Sequence, residues 1–472
     1  MMHGRGNIFV KIVISCLLMV VFVPQARGII YPKASAPNGY YFYPIPNDTI
    51  GPSMFLADVY KFYQAMELRT DSIKSSLTAD KEWGVLLMLN RQVPGFGFKP
   101  STTVAPTLYN IIVESYDIFS HASSYKSLVK RVRPCRRLRE KTFGVEGENA
   151  PDFAAGKSSE FSHPSSHASA SWGIALVLMC VNPWKADTIV NRGLAHSQSR
   201  VIGGVHWQSD VDAGKVLATA NYARMLSYPA VLDMIDSAKR ETQTILGKEV
   251  APSFDQLLAS DDTLSLLTAQ LPAPYDMSTL VGSSDMAVIV DKMSKCSNTV
   301  VQAARNQVDL STSNLLSCFT SQMGTNVTAE THPATYALVD YHLRMCRKMC
   351  ALMQGRYHKP RPVDIFEDLI PRTGEDIDSL RSNSPYPSLH SAMGWTTAMV
   401  LAMMKISNQN NILKQGVAIG DNRVSAGSTW YSDVEMGRVV ASIAFGYTTS
   451  CSEYTNMVRA ALAEFAISGT KN

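Results

Sequence analysis

The chain has 472 residues, 46% of them hydrophobic and 18% charged, the balance of a globular protein long enough for two or three domains that each bury a core. A formal charge of +4 spread over that length argues against nucleic acid or a membrane surface as partner.

Residues 1–28 read as a secretory signal. Arg5 and Lys11 supply the positive segment, Ile12 to Val23 the apolar one, and Ala26-Arg27-Gly28 a small-x-small cleavage site, which predicts a secreted or periplasmic protein. Val13-Ile14-Ser15-Cys16 faintly resembles a lipoprotein box, but the apolar stretch runs on past Cys16. No later segment has the length of a stable membrane span, and Trp172–Val181 and Gly394–Met404 read as buried core helices. Asp58–Leu68 spaces Val59, Tyr60, Tyr63 and Met66 at helical intervals, and hairpin signals are scarce. The expected fold class is all-α.

A repeat organises the rest. Pro164, Ser165, His167, Trp172, Arg200, Trp207 and Asp210 recur as Pro387, Ser388, His390, Trp395, Arg423, Trp430 and Asp433, each displaced by 223 positions. One shift shared by all of them predicts two tandem helical-bundle domains, residues 29–240 and 271–472. Residues 241–270 form the linker or connecting helix, with Gly247 and Pro252 in it.

Three clusters in the first repeat carry chemistry. Lys126 stands six residues before Arg133-Pro134, giving two neighbouring cations, with Pro134 expected to stop or turn a helix. They sit in the basic run Lys130–Arg139, which reads either as a solvated helix face or as an anion-attracting rim. Pro164-Ser165-Ser166-His167 opens the next apolar helix; Pro in the first turn leaves free amides that, with the helix dipole, make an anion seat. Arg200 then precedes His206 and Asp210, which on a helix share one face, so that the carboxylate holds one ring nitrogen and frees the other. Three cations, helix-end amides and two histidines suit a phosphate dianion without a metal. A lone His usually packs or solvates, but here three clusters in order would all have to be incidental. His163 and His167 have zinc-like spacing, yet Pro164 puts His163 outside the helix and removes the shared face.

These motifs resemble the class A non-specific acid phosphatases, within the superfamily of type 2 phosphatidic acid phosphatases and vanadium haloperoxidases. The signature Lys-x6-Arg-Pro, Pro-Ser-Gly-His and Ser-Arg-x5-His-x3-Asp is matched by Lys126…Arg133-Pro134, Pro164-Ser165-Ser166-His167 and Ser199-Arg200…His206…Asp210. The resemblance implies an all-helical, metal-independent phosphomonoesterase of broad range and acid optimum. His206 would be the nucleophile forming a phosphohistidine, Asp210 its orienter and His167 the acid and base. Lys126, Arg133, Arg200 and the backbone at Ser165 and Ser166 would hold phosphate. Vanadate would inhibit; under the alternative haloperoxidase reading it would be the cofactor. A non-catalytic phospholigand-binding protein is the other alternative. One departure is Ser166 in place of the signature Gly, which matters if that position needs a positive φ.

The second repeat departs further. Gln354 stands for the Lys, Leu389 for the Gly, Asn422 for the Ser and Thr429 for the nucleophilic His, while Arg361, His390, Arg423 and Asp433 remain. A threonine hydroxyl is no substitute for imidazole at neutral pH, which predicts a silent half acting as a built-in partner; homo-oligomers are the other partner expected. Removing the signal leaves seven cysteines, an odd number. Cys346 and Cys350 are read as core packing rather than a zinc pair.

Overall fold

The computed structural model describes residues 36–43, 52–146, 161–248, 250–366 and 371–468. The expected signal at 1–28 lies outside them, as does Asn47-Asp48-Thr49, which has the pattern of a glycosylation acceptor. Among the described residues the protein is all-α, with an isolated bridge between Val132 and Phe161. None of those helices is long and apolar enough to cross a membrane.

The principal helices of the first half are α1 (Pro52–Met66), α2 (Pro106–Phe119), α3 (Ser166–Val181), α4 (Ala186–Ile202), α5 (Gln208–Leu226) and α6 (Pro229–Leu246). Those of the second are α7 (Leu280–Ser294), α8 (Pro333–Arg356), α9 (Leu389–Met404), α10 (Gln409–Ser425), α11 (Tyr431–Thr448) and α12 (Tyr454–Ser468). Displaced by 223, α3 and α4 coincide with α9 and α10 at both ends. Helix α6 runs past residue 240, and the expected linker contains helices Phe254–Ala259 and Asp261–Ala269, which bury Leu257, Leu264 and Leu267.

Helix α3 is apolar on every face and buried almost throughout, the pattern of a central rather than a surface helix. It packs on α2, α4 and α5, and α9 is likewise packed by α8, α10 and α11. Close approach needs missing side chains. A Cβ on Gly214 of α5 would lie 2.6 Å from the Ser165 carbonyl, and one on Gly437 of α11 2.5 Å from that of Ser388.

One hydrophobic core runs through both halves. Helices α5 and α9, α3 and α11, α1 and α7, and α6 and α12 pack across the boundary. Trp172 donates to the Ser442 hydroxyl at 2.7 Å, Thr219 hydrogen-bonds Ser442, and Arg459 pairs with Asp236 at 3.1 Å. In each of the last two pairs the partners are 223 residues apart. Cys346 and Cys350 are buried in the core on α8, and the seven described cysteines are unbridged.

Candidate active site

Lys126 opens the short helix Lys126–Val129, and Arg133 caps Pro134–Arg137. Pro134 therefore starts a helix instead of stopping one, because its missing N–H costs nothing at the first helical position. The basic run is not a uniform face. Arg131 and Arg133 are buried at 3% and 5% exposure, while Lys130, Arg136, Arg137 and Arg139 face solvent. Lys126 is buried too, and its ammonium donates to the Phe161 carbonyl at 3.0 Å.

The loop between α4 and α5 presents His206. Gly204 turns the chain with φ of 86°, in the region glycine favours, and Trp207 caps α5. His206 thus precedes the helix, and the expected shared helical face with Asp210 does not form. The carboxylate reaches back instead, as an acidic residue in a first helical turn can. Asp210 Oδ2 accepts the Trp207 N–H at 2.9 Å and lies 3.5 Å from His206 Nδ1. On the ring's other side Arg133 Nη1 donates to the Val205 carbonyl at 2.7 Å and lies 3.1 Å from His206 Nε2. Because guanidinium can only donate, this geometry assigns the proton to Nδ1 and the lone pair to Nε2. Burial, then Arg133 and Lys126, push the His206 pKa well below its ordinary value, which keeps the ring neutral and its lone pair available. Burial would raise the Asp210 carboxyl, but Arg131 with the two histidines overrides it and holds the group well below the usual carboxylate range.

The third cluster is the start of α3. Ser165 caps the helix, its hydroxyl accepting the Ala168 N–H at 3.3 Å. Pro164 stands two residues before the first helical position, not in the first turn as expected, because the serine takes the capping role. The Ser165 amide is engaged with the Asp210 carbonyl at 2.9 Å, so it is not one of the open amides that a first helical turn offers. Ser166 has no positive φ, and the position accepts a side chain without strain. Its buried hydroxyl has no hydrogen-bond partner among the described residues. His167 Nε2 donates to the Lys81 carbonyl at 3.0 Å, leaving Nδ1 as the free nitrogen, and its ring rests edge-on against Trp83. Burial, then Arg200 and His196, depress its pKa well below normal; His206 adds a smaller push in the same direction.

The stretch that holds these clusters is matched by a known family. The PAP2 superfamily model matches residues 105–230, a span that includes every residue of the site. A non-specific acid phosphatase of Providencia stuartii is 31% identical over 201 residues, 42% of this chain and 80% of its own length. One from Salmonella typhi is 26% identical over 223 residues, covering 46% and 86%. An acid phosphatase of Zymomonas mobilis is 28% identical over 192 residues, covering 40% and 70%. The chain belongs to the non-specific acid phosphatases of the PAP2 superfamily.

Around this acid phosphatase site stands a brace that the motifs did not reveal. Arg131 bridges Asp58 and Asp210 at 2.7 Å each, Asp58 also accepts the Ser209 amide at 3.0 Å, and His163 Nδ1 lies 3.3 Å from Asp210 Oδ1. The sequence did hold a signal for it. Asp58 and Arg131 correspond to Asp285 and Lys359, displaced by 227 and 228, and are missed by a repeat comparison that allows no gaps. In the second half Lys359 bridges Asp285 and Asp433 at 3.2 and 2.7 Å. There Thr429 donates to Asp433 at 3.1 Å, where the first half has His206. Burial leads in raising the Asp433 pKa, in contrast to Asp210.

Proposed function

We propose that the first half hydrolyses phosphate monoesters through a phosphohistidine. The observation that carries this reading is His206 held between Asp210 and Arg133, with its Nε2 lone pair beside a cation that can bind the phosphoryl oxygens. Arg133, Lys126, Arg200 and the amides of Ser166 and His167 neutralise the dianion. The Nε2 lone pair attacks phosphorus, the ester P–O bond breaks, and protonated His167 gives its proton to the departing alkoxide. His167, now neutral, takes a proton from water, which attacks phosphorus; the P–N bond breaks and phosphate leaves.

The depressed pKa values set the pH dependence. Free His167 is neutral near pH 7, so it can act as an acid only where protons are plentiful or where bound phosphate supplies the opposing charge. The expected optimum is acidic. No metal takes part in this scheme, so EDTA should leave activity unchanged. His206→Ala should lower p-nitrophenyl phosphate hydrolysis by about 10³-fold or more, and Thr429→Ala should not. The reverse outcome would overturn the assignment of halves. Vanadate should inhibit; bromide oxidation by peroxide on adding vanadate would favour a haloperoxidase instead.

We read the second half as a degenerate duplicate that acts as a built-in dimer partner. Its support is the matched helix boundaries, the loss of the nucleophile at Thr429, and contacts that join positions to their own counterparts, as at a two-fold axis. The N-terminal signal pattern supports secretion or a periplasmic location.

A further inference from the structure

The second half keeps much of the anion-binding frame. Arg361 donates to the Ser428 carbonyl at 2.9 Å, the counterpart of the Arg133 bond to Val205. His390 Nε2 lies 3.3 Å from the Val308 carbonyl, as His167 Nε2 lies 3.0 Å from Lys81. Ser388 caps α9 as Ser165 caps α3. Arg423, the counterpart of Arg200, is buried at the end of α10.

What differs is a carboxylate. The Arg372 amide donates to the Ala426 carbonyl at 2.7 Å and the Phe143 amide to that of Gly203 at 3.1 Å, which marks two comparable loops, the second one residue longer before its turn. Each loop then turns at a glycine of positive φ, Gly374 at 77° and Gly144 at 71°. The residue after the glycine is Val145 in the first half, fully buried, and Glu375 in the second; the first half's glutamate, Glu146, stands one residue further on and pairs with Lys74 at 3.2 Å. Glu375 forms an ion pair with Arg423 in which the side chains are 15% and 2% exposed. The carboxylate oxygen on Arg423 Nη2 takes the place that a phosphate oxygen would occupy there, while Nη1 faces the Ala304 carbonyl at 3.4 Å.

We propose that the second half retains a seat for a tetrahedral oxyanion, built on Arg361, Arg423 and His390, and that the chain closes this seat with its own carboxylate, Glu375. The inference rests on reading the second half as a duplicate of the first. Phosphate and Glu375 compete for Arg423, so the seat opens when the carboxylate is removed. Gln354 in place of the lysine and Leu389 in place of Ser166 make the opened seat weaker than the first.

Calorimetric titration of the full-length protein with inorganic phosphate tests this. The wild type should bind one phosphate per chain, and Glu375→Gln two. Glu375→Ala provides a second opening variant should the glutamine keep its hold on Arg423, with circular dichroism reporting that each is folded. Adding Arg423→Met to either should return the count to one. Two phosphates on the wild type, or one on both folded Glu375 variants, would overturn the closed seat. Arg200→Met separates this from the catalytic reading. If it still binds one phosphate and still hydrolyses p-nitrophenyl phosphate, the first-half assignment falls. A gain on Glu375→Gln in that background would still support the second seat.

Discussion

His163, His167, His196, His206, His342 and His390 all have pKa values depressed by burial, His196 to about 4 and His342 to about 3. The unfolded chain takes up protons on these rings near pH 6.5, whereas the native state stays neutral until lower pH. The unfolded state therefore binds more protons below that point, and native stability should fall as the pH drops from about 6.5 toward 4. Each fully buried ring contributes up to about 1.4 kcal/mol per pH unit in that window. Phosphate favours the protonated rings around it and should offset part of the loss. Denaturant midpoints at pH 7 and pH 5, with and without phosphate, check both statements. A midpoint unmoved by acid would show that these rings are solvated.

At the scale of the element, the start of α3 does most to define the site. The helix is buried along its length, so its first amides and dipole act in a medium of low polarity. Ser166 adds a buried hydroxyl that has no hydrogen-bond partner among the described residues. Aimed at an anion it would gain a charge-assisted hydrogen bond; left alone it is a buried orphan. Ser166→Ala should therefore weaken phosphate inhibition by about tenfold while leaving thermal stability equal or higher. A loss of stability with unchanged phosphate affinity would make the hydroxyl structural. The loop before α5 shows a related economy of parts, since Asp210 braces His206 and satisfies the Trp207 amide at the helix start. Arg131 holds the carboxylate in place from behind, and the second half keeps that brace in Lys359 although Thr429 stands where the first half has His206. The brace is thus also a fastening of the loop to the bundle.

For the whole molecule, the shared core is the decisive feature. Trp172 of α3 finds its hydrogen-bond partner on α11, and α5 packs on α9. Residues 29–245 expressed alone would leave that surface, with its buried polar groups, open to water. The fragment should aggregate or self-associate and lose most of its activity, as read by light scattering and phosphatase assay. A stable, fully active monomer would remove the built-in partner role from the second half.

The chain by itself identified the helical class and offered the displacement of 223 and a candidate set of histidines and cations in the first repeat, because these are written in local spacing. The structure sets His206 beside Asp210 through a capping loop and not the helical face that the spacing suggested, and places Arg133 on the ring's other side. What tertiary structure alone decided is how distant residues meet. Arg131 reaches Asp58 across 73 positions, signalled only by a repeat match that allows gaps, and Glu375 reaches Arg423 across 48 with no motif to announce it. Local sequence sets the backbone of each segment; only packing the segments together settles which charge is neutralised by which, and so which of two similar sites is left open.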